Sequence, residues 1–132
     1  MILRFTVRGV PRTKKNSQRI VRGKNRTLIL PSASYVLYEK EFIRQVPSAA
    51  KLGINQPVNV RCIYYMPTRR KVDLLNLEAA THDILVKAGV LEDDNRDVII
   101  GTDGSRVFHD TANPRVEIEI IDVEGFEQWS KR

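Results

Sequence analysis

Cysteine is almost missing from this chain of 132 residues: Cys62 is the only one. A lone cysteine makes neither an intramolecular disulfide nor a thiolate zinc site, so Cys62 reads as a small buried hydrophobe in a reducing compartment. Histidine is scarce as well. His82 and His109 are the only two, and neither stands in a metalloprotease, triad or zinc-ligand pattern. Glycine-rich phosphate motifs, internal repeats and low-complexity linkers are absent. No apolar run approaches membrane-spanning length, and the N-terminus lacks the charged-then-apolar pattern of a secretion signal. The expected location is the cytoplasm, with no membrane partner and no small-molecule cofactor.

The third shortage is acid at one end. Residues 1–26 hold nine lysines and arginines and no Asp or Glu. Between Asp73 and Asp97 the balance reverses, with Asp73, Glu78, Asp83, Glu92, Asp93, Asp94 and Asp97 against Lys87 and Arg96. The net charge is +6 and the isoelectric point about 9.7. A basic surface beside an acidic cluster suits a protein that holds phosphates and needs cations to work on them. The length fits one domain, expected over residues 1–123 with a tail at 124–132, burying roughly two-thirds of its unfolded surface.

Alternation marks a first strand over residues 2–8, ended by Gly9 and Pro11. The acid-free loop that follows offers Lys14, Lys15 and Asn16 as phosphate donors; a solvated loop is the plainer alternative. A turn at residues 23–26 predicts a short hairpin. A helix is expected from a serine cap at Ser32 or Ser34 to Val46, with Tyr35, Tyr38, Phe42 and Val46 as its core stripe. The clearest strand is 57–67, with Val58, Val60, Cys62, Tyr64 and Met66 on one face. It delivers Arg69, Arg70 and Lys71 as a clamp for phosphate.

From Leu74 to Ala88 no Gly or Pro interrupts a second helix, which Asp73 caps and Gly89 ends. Asn76, Ala80, Asp83 and Lys87 fall on one stripe, where the small Ala79 and Ala80 leave room for an ion or phosphate. Leu74, Leu77, Thr81, Ile84, Leu85 and Ala88 face the core. Residues 92–97 form an acidic turn. Its Asp93, Asn95, Asp97 alternation imitates a calcium loop, but Val98 and Gly104 stand where glycine and glutamate are required. A short strand follows at 98–101, a polar connection at 102–113 that holds His109, and a last strand from Pro114. His82 is expected on the far side of the second helix.

Asp73, Asn76, Asp83 and Asp94 offer the hard oxygen donors of a Mg²⁺ site for phosphodiester hydrolysis, with Mn²⁺ as a substitute. The same residues read equally as a helix cap, a solvated acid and a surface turn.

The segment DLLNLEAATHDILVKAGVLEDDN resembles the RusA family of Holliday-junction resolvases of bacteria and their phages. That family has an Asp-x-Asp-Asn-Leu helix start, a later helix Asp, Lys-Ala-Gly and an Asp-Asp pair. The match falls on Asp73, Asn76, Leu77, Asp83, Lys87-Ala88-Gly89 and Asp93-Asp94. PRTKKNSQRI and PSASYVLYEKE resemble the phage and Gram-positive branch, which suggests a prophage setting. The resemblance implies a small mixed α/β (α+β) fold, a mixed β-sheet with two main helices packed on it. It further implies a homodimer and Mg²⁺-dependent paired nicking of four-way DNA in recombination and repair. By the same resemblance Asp73 and Asp94 hold metal and Asp83 is the helix acid; Lys14, Lys15, Asn16, Arg69, Arg70, Lys71 and Lys87 are expected from charge and position to meet DNA. Leu75 stands where the family has its second aspartate and Ala79 where it has a lysine. The alternative is therefore a branched-DNA-binding protein of the same fold that does not cut.

Overall fold

The central strand of the molecule is the one with the strongest alternation. In the computed structural model, which describes residues 1–14, 18–22 and 27–122 (the pairs 18–22 and 27–31 by backbone alone), this strand is β4, Val58–Met66. Before it come β1 (Ile2–Arg8), the hairpin β2 (Gln18–Arg22) and β3 (Thr27–Pro31), and helix α1 (Ala33–Gln45). After it come helix α2 (Leu74–Lys87), β5 (Ile99–Gly101), β6 (Arg106–His109) and β7 (Arg115–Asp122). The 3₁₀ turn Ser48–Ala50 was not legible in the sequence.

The main sheet runs β1-β7-β4, with β5 and β6 both beyond β4. β7 is antiparallel to both of its neighbours. β5 pairs parallel with the start of β4 and β6 with its end. Mixed pairing of this kind requires long connections, and α2 is one of them. The fold is thus the expected mixed sheet with two helices. The addition is β6, which lies inside the stretch expected to be a polar connection and brings His109 into a strand.

Cross-strand register explains the core. Phe5, Ile118 and Cys62 stand side by side, as do Val7, Val116 and Tyr64. All are buried, together with Val58, Val60 and Ile120, as period-two alternation demands. Tyr35, Tyr38 and Phe42 of α1 and Leu77, Ile84 and Leu85 of α2 complete the cluster. Ser32 caps α1, its hydroxyl accepting from the Tyr35 N–H at 3.2 Å. Cys62 is fully buried, and burial pushes its thiol up to about 12, as befits a packing residue. No helix among the described residues is long and apolar enough to cross a membrane.

Candidate active site

Both ends of α2 are fixed by local chemistry. Asp73 is the N-cap, its carboxylate accepting from the Leu75 N–H at 2.9 Å, one of the otherwise orphaned donors of a helix start. At the other end Gly89 has φ +81°. Its N–H reaches the Val86 carbonyl and the Val90 N–H reaches that of Leu85, both at 3.0 Å. This is the pairing of a Schellman motif, whose left-handed residue suits glycine. Between the ends, the Tyr64 and Thr81 hydroxyls meet at 2.7 Å and clip the helix to β4.

The acidic turn after α2 is anchored just as firmly. Val90, Leu91 and Val98 are buried, and Leu91 bridges to Ile54. Inside the turn, Asp93 accepts from the Asp94 N–H at 2.7 Å and from the Asn95 side chain at 3.1 Å. Asn95 in turn accepts from the Asp97 N–H at 2.9 Å. Asp93 is therefore spent on the turn, while Asp94 is exposed on it. Asp94 also acts electrostatically on His82, favouring its charged form against the stronger opposing effect of burial. His82 is half-buried, and helical spacing sets it on the face of α2 away from Asn76, Asp83 and Lys87.

Asp83 has a different environment. Lys14 donates to its carboxylate at 2.7 Å, and the Lys87 ammonium stands 3.5 Å away while also reaching Glu39 of α1 at 3.2 Å. Burial opposes ionisation of Asp83, but the two ammonium groups outweigh it and hold the carboxyl below its ordinary value. Of the two small residues expected to leave room, Ala80 is buried by the fold and Ala79 is exposed. Two of the residues expected at DNA, Lys14 and Lys87, are paired within the chain. Asn76 is half-buried on the same flank.

Arg69, Arg70 and Lys71 are exposed where β4 ends, two residues before Asp73. The loop after β1 comes alongside them, and the two enclose a hollow of about 540 Å³ lined by Arg12, Thr13, Thr68, Arg70 and Lys71. Arg12 is not distinguished by spacing or motif; its membership follows from a loop and a strand end meeting in space. Lys15 and Asn16 lie outside the described residues.

Among the described residues no three His, Cys, Asp or Glu side chains form a group ready to hold a metal. Leu75 is 71% exposed, and an aliphatic side chain has no atom to coordinate a cation. Glu78, one turn from His82 on the same face of α2, is buried beside Ser105 and Thr102, with burial raising its carboxyl; it braces α2 instead of replacing a ligand. Asp73 and Asp94 remain as exposed oxygen donors. Two carboxylates fit Mg²⁺, which keeps several waters and commonly takes one or two protein carboxylates plus substrate phosphate.

Comparison with known proteins bears on these residues. The family model described as endodeoxyribonuclease RusA matches residues 9–121. A crossover junction endodeoxyribonuclease of Shigella sonnei is 35% identical over 86 residues, 64% of this chain and 70% of that protein. One from Escherichia coli K12 is 39% identical over 64 residues, 48% of this chain and 53% of that protein. One from Enterobacteria phage 82 is 45% identical over 47 residues, 36% of this chain and 39% of that protein. The matches with the last two thus span about half of those relatives or less.

Proposed function

The chain belongs to the RusA family, and from that premise we propose that it is a structure-selective endodeoxyribonuclease that resolves four-way DNA junctions by paired nicking. The observation that carries this reading is that the family match over residues 9–121 takes in the basic hollow, α2 and the acidic turn together. Arg12, Arg69, Arg70 and Lys71 would bind backbone phosphates through charge-assisted hydrogen bonds. Asp73 and Asp94 would hold Mg²⁺ or Mn²⁺ beside the scissile phosphate, with Asn76 in support and Asp83 joining only if Lys14 moves to a phosphate. Such an ion, when bound, neutralises charge on the phosphate and supplies hydroxide near neutral pH. Two symmetric sites suit two strands of a symmetric junction, so the working form would be a homodimer in the cytoplasm, acting in recombination and repair.

A second reading is favoured by Leu75: a protein that binds branched DNA and leaves it intact. A labelled four-way junction incubated with the purified protein and Mg²⁺ or Mn²⁺ separates the two. Cleavage lost in Asp94→Asn, with weaker Mn²⁺ binding by calorimetry, supports the nuclease. Tight junction binding without cleavage supports the second reading. No preference for the junction over duplex sinks both.

A further inference from the structure

Three flat groups stand in a row across the outer face of the sheet. Register sets Arg115 of β7, Tyr65 of β4 and Phe108 of β6 side by side. The Arg115 guanidinium lies 3.7 Å from the centre of the Tyr65 ring. Its orientation is fixed by Asp110 at 2.9 Å, Glu117 at 3.0 Å and the Asn113 carbonyl at 2.9 Å. Tyr65 and Phe108 follow with ring centres 5.8 Å apart. The row ends there, because among the described strands β6 pairs with β4 alone.

Phe108 is 50% exposed at that end. Half of the ring therefore faces solvent from an edge that is held in place. The edge is rigid because the Asp110 N–H donates to the Met66 carbonyl at 2.8 Å and the Thr111 hydroxyl donates to that of Pro67 at 3.1 Å. Beside the ring a second hollow, of about 410 Å³, is shared by Met66, Arg69, Arg70, Val107, Phe108 and His109. Its chemistry is therefore an open aromatic face with two arginines next to it.

We propose that Phe108 is the stacking surface for an unpaired nucleobase, with the adjoining phosphate taken by Arg69 or Arg70. Bases present a π-face whatever their identity, so stacking tolerates any sequence while discriminating against fully paired duplex. Charge favours this occupant over a second copy of a chain whose net charge is +6, since the flanking groups are cationic. Preorganisation by Arg115 and Tyr65 means that little conformational freedom remains to be lost on binding. The site adds a means of recognising opened DNA to the proposed function and rests on it for the identity of the ligand.

The test compares a duplex bearing one bulged nucleotide with the same duplex bearing an abasic residue at the bulge, by fluorescence anisotropy in EDTA. The wild type is expected to bind the base-bearing DNA more tightly by about five- to hundredfold. Phe108→Ala and Phe108→Leu should abolish that preference, Phe108→Trp should keep it, and binding to plain duplex should be unchanged in all three. A preference that is absent in the wild type, or survives Phe108→Ala, overturns the site. Equal loss on all DNAs together with a change of oligomeric state by light scattering also overturns it, and assigns Phe108 to a contact between copies. A base preference without junction selectivity would sink the resolvase reading and leave the stacking site standing; junction selectivity without a base preference would do the reverse.

Discussion

A single leucine carries the sharpest question about the chemistry. Leu75 is on the first turn of α2, 71% exposed, so replacing it with aspartate removes no packing. An acid there also meets the positive end of the helix dipole, a gain of about 0.3–1 kcal/mol. Leu75→Asp is expected to fold with an unchanged or slightly higher melting temperature, to bind Mn²⁺ more tightly, and to cut a four-way junction faster than the wild type. Unaltered cleavage and metal affinity would show that position 75 is remote from the reaction. Glu78 gives a second test through pH. Burial raises its folded-state pKa above the ordinary carboxylate value, so between the two values the native state holds more protons than the unfolded one. Stability should then fall as pH rises from the ordinary value through the raised one. Glu78→Gln keeps the hydrogen-bonding shape and removes that loss. Urea unfolding at neutral pH should find the glutamine variant equal to the wild type or more stable by about 1 kcal/mol, with a flatter pH profile.

Elements were legible where local chemistry dictates them and obscure where distant partners do. Alternation in β4, the serine cap of α1, and Asp73 and Gly89 at the ends of α2 are all readable from a few neighbouring residues. β6 is not: four residues in a polar stretch become a strand because the end of β4 offers them a parallel edge. The same holds for Asp83, whose partner Lys14 is 69 positions away; helical spacing placed the acid on the right stripe without revealing the ammonium opposite. That network joins the loop after β1, α1 and α2 through Lys14, Asp83, Lys87 and Glu39. The Asp83 carboxyl is depressed, so its contribution is present above the ordinary carboxylate value and is lost as pH falls through the lowered one. Because Asp83 and Lys14 are over a third exposed, the pair is worth at most about 1 kcal/mol. Asp83→Asn should therefore unfold at a urea midpoint close to the wild type at neutral pH, and the small difference should vanish in acid. A larger loss would mean that the network anchors α1 as well as the loop.

Across the whole molecule, charge is divided between groups that are committed and groups that are available. Lys14 and Lys87 answer carboxylates of the same chain, whereas Arg69, Arg70 and Lys71 are exposed and border the two hollows. Affinity for DNA should fall steeply with salt. Arg70→Ala should flatten that dependence by about one unit of slope, and Lys14→Ala by less, since its ammonium must first leave Asp83. Equal slopes for Arg70→Ala and wild type would remove the end of β4 from the interface.

The pairing of β1 with β7 has one more consequence, for the order in which the chain is made. Ile2 stands opposite Ile121 and Arg8 opposite Arg115, and β7 is also the strand that covers one edge of β4. A nascent polypeptide that has emerged only as far as the acidic turn already carries the basic residues and the sequences of both helices. It has no strand to set between β1 and β4, and the core face of the sheet stays open to water. Closing so long a loop is slow compared with forming local contacts. Fragments released early from the ribosome would thus present the residues for cutting DNA without the scaffold to use them, and would fall to proteases instead.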